Sequence, residues 1–323
     1  MKKLIFGIFA LQVLFCSCEK NIGPDGGQDP EGDSAGQITL TVTTYNVLKP
    51  DASARHETNM SMNDQKVRQA LASTIATTQS DIIGFGELDA THLKNGKNSL
   101  QTICSAIRDY TWSLDWPNSI SSNGGLSHSY AEGFAYNNKK LELLDKGYVW
   151  MSKTEDIYYE KPAPAYGKVG SPARTCIWTK FKHKETGKIF WVFVTHLPTN
   201  SQGGQENMAK VLNRFTQQKA GNDPAILIGD MNANPSSETY ATLTKSWTDG
   251  NTQNWGTMSG SASNYYYPTA TYSNNRSDRR IDHLMTRGCT AKNYRRTIIT
   301  YKVGNEDWCP SDHLPVTATV TIQ

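Results

Sequence analysis

The feature that most narrows what this chain can fold into is a recurring junction. An apolar, strand-length run stops at chargeable side chains. Ala225-Ile226-Leu227-Ile228 runs into Gly229-Asp230-Met231-Asn232. Near the C-terminus, Ser311-Asp312-His313 leads into the alternating Leu314-Pro315-Val316-Thr317-Ala318-Thr319-Val320. Tyr45-Asn46 and Thr195-His196 close two more such runs. Short apolar blocks and strict alternation read as strands. The strand ends of a layered protein are where sites are built, because the sheet fixes geometry and the loop gives access.

The same periodicities predict strands at 38–48, 81–87, 133–136, 141–151, 175–183, 189–195, 225–229, 281–285, 292–300 and 315–322. Helical spacing appears at 64–79 (Val67, Leu71, Ile75), 97–109 (Leu100, Ile103, Ile107) and 206–219 (Met208, Val211, Leu212, Phe215). A short helix is expected at 236–244, capped by Ser236 or Ser237. The polar, Gly/Ser-rich stretch 251–278 reads as a long loop. Strands outnumber helices, and hairpin-like neighbours mix with helical crossovers. That predicts an α/β protein with antiparallel or mixed sheets, not a doubly wound one. Neither a Gly-x-Gly-x-x-Gly nor a P-loop occurs.

The N-terminus reads as an export signal. Lys2 and Lys3 precede an apolar run, Leu4 to Phe15, too short to span a bilayer. It ends in Phe15-Cys16-Ser17-Cys18, which resembles a bacterial lipoprotein signal with Cys18 as the lipidated residue. The expected organisation is a signal peptide at 1–17, a Gly-, Asp- and Pro-rich flexible tether at 18–37 and a folded domain at 38–323. A lipid anchor would hold the protein on a bacterial membrane, facing the periplasm or the cell surface. Net charge is +3 over 323 residues, too small an excess to indicate nucleic acid by itself. Export makes disulfides possible among Cys104, Cys176, Cys289 and Cys309, and no pair has the spacing of a zinc site.

A hard cation such as Mg²⁺ takes carboxylate and amide oxygens. Glu87 and Asn46 each follow an apolar strand, and Asp312 is a third candidate. Asp230 and Asn232 are two apart, which on extended backbone places both on one face. Asp282 begins another apolar strand and needs a partner, since burying a lone carboxylate is costly. His313 is the natural one, and an Asp–His pair gives an oriented imidazole able to take a proton. Any one of these residues alone is an ordinary turn cap or structural group. Their recurrence at strand ends is what argues otherwise.

The ordered set Thr44-Tyr45-Asn46, Gly86-Glu87, Ser171-Pro172-Ala173-Arg174, Thr195-His196-Leu197, Gly229-Asp230-Met231-Asn232, Ile281-Asp282-His283 and Ser311-Asp312-His313 resembles the endonuclease/exonuclease/phosphatase superfamily. The resemblance covers about residues 38–323. It implies a deoxyribonuclease I-like, four-layer α/β/β/α sandwich with a Mg²⁺ or Mn²⁺ site at one edge. Glu87 would be the principal metal ligand, with Asn46 and Asp312 near the ion. Asp282 would orient His313, and His313 and Asp230 would position or deprotonate the attacking water. Asn232 and His196 would hydrogen-bond the phosphoryl oxygens, and Arg174 would clamp a phosphate. Gly86 stands where the family often has Gln.

The implied activity is hydrolysis of a phosphoester outside the cytoplasm: nucleic acid, a phospholipid head group or a sugar phosphate. The protein is expected to act as a monomer. Loops at 49–63, 116–130, 158–170 and 265–280 would set selectivity; Tyr265-Tyr266-Tyr267 and Tyr272 read as loop anchors or as stacking platforms, and Arg276, Arg279 and Arg280 as a solvated charged loop or as phosphate attractors. The competing expectation is a lipid-tethered binding module that keeps the fold without turnover. His283 is expected to be structural.

Overall fold

The computed structural model describes residues 36–48, 65–88, 110–113, 119–120, 126–127, 131–152, 158–159, 174–199, 202–253, 255–257 and 280–323. The export signal with Cys18, the tether before residue 36, the helix expected at 97–109 and most of the four selectivity loops lie outside them. One compact unit spans Gly36–Gln323.

Two six-stranded sheets form it. The first has the order β13 (Thr290–Arg296), β16 (Val316–Ile322), β1 (Ile38–Asn46), β2 (Ile82–Leu88), β6 (Ala131–Asn137), β3 (Tyr110–Ser113). The second runs β12 (Asp282–Arg287), β11 (Ala225–Asp230), β10 (Ile189–His196), β9 (Arg174–His183), β7 (Leu141–Met151), β8 (Tyr158–Tyr159). Each sheet has one parallel pair, β1–β2 at the centre of the first and β10–β11 one strand in from the edge of the second, and its other pairs are antiparallel. Two-stranded hairpins, β4–β5 (Ser119–Ile120, Leu126–Ser127) and β14–β15 (Tyr301–Val303, Glu306–Trp308), lie outside the sheets.

Alternation decides the layers. Leu40 and Val42 of β1, Phe134 and Tyr136 of β6, Ile177 and Phe181 of β9, Val192 and Val194 of β10 and Ile226 and Ile228 of β11 fill the space between the sheets. The opposite face of the first sheet packs Tyr45, Ile83, Phe85 and Ala135 against Val67, Leu71 and Ile75 of α1 (Gln65–Thr78). The outer face of the second packs Phe193, Leu227 and Met285 against Met208, Leu212 and Phe215 of α2 (Gln205–Ala220) and Leu243 of α3 (Glu238–Leu243). The result is the four-layer α/β/β/α sandwich. Burying side chains of this size is worth about 1.5–3 kcal/mol each, so the central double layer is the rigid part on which the site is mounted. Ser237, one of the two cap candidates, caps α3 by accepting from the Tyr240 N–H.

Candidate active site

Continuing the inward-facing rows to the strand ends builds the site. Asn46 follows Leu40 and Val42 on β1, His196 follows Val194 on β10, and Asp230 follows Ile228 on β11. Register then sets His196, Asp230 and Asp282 side by side across three strands, while Asn46 lies beside Gly86. His313 arrives just before β16, antiparallel to β1.

Glu87 does not follow this alternation. Phe85 faces α1, so a regular strand would turn Glu87 to the same outer side. Instead β2 carries a bulge against β6 between Phe85 and Leu88. Glu87 itself sits at φ 56, a left-handed conformation rare for a side chain of this kind. The bulge brings its carboxylate to Asn46, whose Nδ2 donates to Glu87 Oε1 at 3.2 Å.

The remaining contacts form one network. Asn46 Nδ2 also lies 3.1 Å from Asp230 Oδ2 and 3.4 Å from His313 Nε2. His313 Nδ1 pairs with Asp282 Oδ2 at 2.8 Å, and its Nε2 is 3.7 Å from Asp230 Oδ2. His196 Nε2 is 3.3 Å from Asp230 Oδ2 and 3.0 Å from Asn232 Nδ2. Ser311 Oγ donates to the Asn46 carbonyl and accepts from His313 N. Thr257 accepts from the backbone of Ile281 and Asp282 through Oγ1 and from Leu314 through its carbonyl.

The structure corrects one reason for pairing Asp230 with Asn232. The strand ends at Asp230, and Asn232 sits at φ 48, so the backbone between them is not extended. Asn232 meets Asp230 through a turn instead: its N–H donates to Asp230 Oδ1 at 2.8 Å. Asparagine tolerates that conformation better than most residues.

Burial sets the protonation. Glu87 is pushed above the usual carboxylate range, chiefly by desolvation. Asp230 is pushed up to about 6, by desolvation first and then by the Asp282 charge. His196 is driven well below the usual histidine range by burial, with Arg174 and His313 adding to it, and is neutral. Burial pushes His313 down too, but the Asp282, Asp312 and Asp230 charges outweigh it and hold the imidazole well above its usual value. Clustered, perturbed acids and imidazoles of this kind mark functional sites more often than structural ones.

The donor set fits a hard divalent cation. Half-buried Glu87 and buried Asp230, two carboxylates destabilised by desolvation, are the groups a cation relieves. Single atoms of Asp230, Asp282 and His313 lie within 4.8 Å of one another. In that trio the Asp282 oxygen is already committed to His313 Nδ1, so it is better read as a relay than as a chelate. Glu87 is the more open ligand. Asn46 turns Nδ2 toward the carboxylates while its Oδ1 accepts from Leu48 N at 3.1 Å, so it would have to present the other end of its amide to ligate. Asp312 is buried beside His313, and its charge acts there.

Arg174 opens β9 and is buried. One nitrogen, Nη2, donates to Gln202 Oε1 at 3.3 Å. Among the described residues, its Nε and Nη1 are enclosed without a hydrogen-bond partner. The Arg174 charge is felt by Glu87, Glu132 and His196, which puts it at the same edge. Arg280 goes elsewhere: it is buried and binds Asp249 Oδ2 and the carbonyls of Asn251 and Gln253, so it is not a surface phosphate attractor. His283 bridges Asp249 Oδ2 and the Ala233 carbonyl through its two ring nitrogens. Cys176, Cys289 and Cys309 are free thiols.

Sequence reasoning missed Glu132. It is buried between the sheets, with Oε2 accepting from Thr175 Oγ1 at 2.5 Å and Oε1 lacking a partner among the described residues. Its signal was an acid two places before Phe134, on the inward face of β6. Burial pushes it from 4.5 up to about 7. Its contribution to stability is therefore complete below pH 4.5 and is lost as pH rises through about 7. At about 1.4 kcal/mol per tenfold change in proton affinity, Glu132→Gln in EDTA stabilises the fold at pH 8 by up to roughly 3 kcal/mol and changes little at pH 4. Thermal unfolding of both proteins at the two pH values checks this.

The comparisons agree with this geometry. The Endonuclease/Exonuclease/phosphatase family model matches residues 43–313, and the chain belongs to that family. Its fold matches an endonuclease/exonuclease/phosphatase family protein from Bacteroides thetaiotaomicron at TM-score 0.68 and 22% identity, covering 90% of this chain and 97% of that one. A mannosyl-6-phosphatase from the same organism matches at TM-score 0.66 and 22% identity, covering 87% and 99%. The human Nocturnin catalytic domain, with bound sulfate anion, matches at 0.57 and 16%, covering 87% and 93%. No curated protein matches the chain.

Proposed function

We propose that the protein is a divalent-metal-dependent phosphoester hydrolase that works outside the cytoplasm, tethered to a membrane through Cys18. The observation carrying this reading is the convergence of Asn46, Glu87, His196, Asp230, Asn232, Asp282 and His313 from both sheets on one buried edge. A binding module has no need of an Asp282–His313 relay aimed at a second carboxylate.

A bound cation, Mg²⁺ or Mn²⁺, supplies charge neutralisation at the phosphoryl oxygens. Glu87 would hold it, with Asn46 and Asp312 nearby. Asp282 fixes His313 through Nδ1, leaving Nε2 turned toward Asp230. His313 helps hold a water in line with the ester, and the Asp230 carboxylate takes its proton as the new P–O bond forms and the leaving oxygen departs. Neutral His196 and Asn232 donate to the phosphoryl oxygens, and the unpartnered Arg174 nitrogens grip them as charge builds. A sugar phosphate is the first substrate to try, since a structural neighbour is named for one; nucleic acid and phospholipid head groups complete the panel.

Hydrolysis of bis-p-nitrophenyl phosphate and p-nitrophenyl phosphate should require Mg²⁺ or Mn²⁺, stop in EDTA and return on adding the metal. Glu87→Gln should weaken Mn²⁺ affinity about 10–100-fold, by analogy with lost ligand support elsewhere. Calorimetric titration reads this without turnover. Full activity in EDTA would end the metal-dependent reading.

A further inference from the structure

The parallel pair that delivers His196 and Asp230 ends where those two residues stand side by side. One more backbone bond follows, from Leu197 N to the Asp230 carbonyl at 2.9 Å. Beyond it, side chains join the loops that leave β10 and β11. Asn232 Nδ2 donates to the Leu197 carbonyl at 2.8 Å. Gln205, the first residue of α2, then spans both loops. Its Nε2 lies 2.8 Å from the Pro198 carbonyl, two places past His196, and 2.8 Å from the Asn232 carbonyl, two places past Asp230. The Met231 carbonyl shares it at 3.2 Å.

Helix formation alone does not ask for this. A first turn gains from a Ser, Thr, Asp or Asn cap. Here Gly204 holds the cap position at φ 78 and offers no side-chain bond, and Gly203 before it is at φ 69. After these two left-handed residues the Gln205 side chain is buried. Thr239 of α3 donates from Oγ1 to Gln205 Oε1 at 3.0 Å. Three carbonyls at one end of the amide and a hydroxyl at the other leave one orientation, with the nitrogen facing the loops.

What the amide holds is a left-handed turn. Asn232 sits at φ 48, and such conformations persist where their surroundings fix them. Its N–H donates to Asp230 Oδ1 at 2.8 Å and its carbonyl accepts from Gln205, so the backbone is set from both sides. The side chain then falls with Nδ2 3.0 Å from His196 Nε2.

We propose that Gln205 is a positioning residue for phosphoester hydrolysis. By tying the Pro198 and Asn232 carbonyls together it holds the Asn232 amide against His196, where the two meet the phosphoryl oxygens. It acts through Asn232. This rests on the hydrolase reading above.

The test is a double-mutant cycle on the full-length protein with p-nitrophenyl phosphate and Mn²⁺. Gln205→Met keeps the side chain's length and removes its donors. It should lower kcat and kcat/KM together about tenfold, as when a small misplacement weakens a contact made in the transition state. In an Asn232→Gly background, where glycine keeps the positive φ without strain, the same substitution should change kcat/KM by less than about twofold. A residue that only supports the fold would cost the same with and without the Asn232 side chain. Gln205→Met also strands buried carbonyls, so thermal unfolding is followed alongside. Thr239→Val leaves Gln205 in place but removes the hydroxyl that orients its amide. It stands in if Gln205→Met does not fold, with a loss of about threefold, the scale of one neutral hydrogen bond, again dependent on Asn232. Nitrogen NMR of the His196 imidazole in metal-free protein is independent of turnover. Its Nε2 signal should shift in Gln205→Met and in Asn232→Gly alike. Wild-type kcat/KM in Gln205→Met would overturn the proposal, as would an unmoved Nε2 signal or an equal drop in both backgrounds. A wild-type protein without metal-dependent hydrolysis would instead sink the parent reading, and this inference with it.

Discussion

His313→Ala should lower kcat about 10³-fold, within the range a positioned acid–base group supplies. The reason is geometric. His313 Nδ1 is 2.8 Å from Asp282 Oδ2, so the imidazole cannot turn away, and its Nε2 is directed to Asp230 and Asn46. Asp282→Asn keeps the shape but removes the charge that most favours the protonated His313 imidazole, and should cost about 10²–10⁴-fold. The double variant should be little worse than His313→Ala alone, because each residue acts through the other. Stability must be followed alongside. Removing one partner of a buried pair commonly destabilises by about 3–5 kcal/mol, and His313→Ala leaves Asp282 enclosed without its partner. Asp282→Asn in the His313→Ala background relieves that stranded charge. The double variant should therefore unfold at a higher temperature than His313→Ala while remaining as inactive. Wild-type turnover by His313→Ala would remove the catalytic role of the pair.

The contiguous parts of this site were legible in the sequence because strand alternation continues into them. Ile226, Ile228 and Asp230 share a face, as do Val192, Val194 and His196, so a residue's place in the row predicts its direction. Ser311-Asp312-His313 was legible because it precedes a clean alternating strand. Glu87 was found by its position after Ile82, Ile83 and Phe85, yet alternation would have pointed it at α1; only the bulge and its positive φ bring it inside. That bulge depends on β6, far off in sequence. Glu132 and Arg280 escaped for the same reason. Each is defined by a partner remote in the chain, Thr175 for one and Asp249 for the other. The β14–β15 hairpin has a local signal in the sequence. Val303-Gly304-Asn305-Glu306 carries a two-residue Gly-Asn turn, with Gly304 at φ 59. Strands of two to four residues, such as β3, β4, β5 and β8, are too short for periodicity to register.

Gly229→Ala should be among the most damaging substitutions in the scaffold. Gly229 pairs with Thr195 one residue before His196 meets Asp230. Its φ is 151, and a Cβ placed there would lie 1.8 Å from the Thr195 carbonyl oxygen. Backbone cannot rotate aside, so β11 must move off β10 at the point where the two strands deliver His196 and Asp230. Strain and lost ladder bonds together should exceed about 4 kcal/mol, beyond the usual range for a single substitution. Gly84→Ala is the informative contrast. Its Cβ would meet Ile228 Cδ1 at 2.5 Å and Cγ1 at 2.9 Å. Those atoms belong to a side chain, which can repack, so the loss should be nearer 1–3 kcal/mol, the ordinary scale of overpacking, at roughly wild-type fold. Ile228→Val removes the Cδ1 contact and should recover part of the Gly84→Ala loss, but none of the Gly229→Ala loss. Urea unfolding of the four variants separates the two cases. If Gly229→Ala unfolds at the wild-type midpoint, the close approach of β10 and β11 is not what sets His196 beside Asp230.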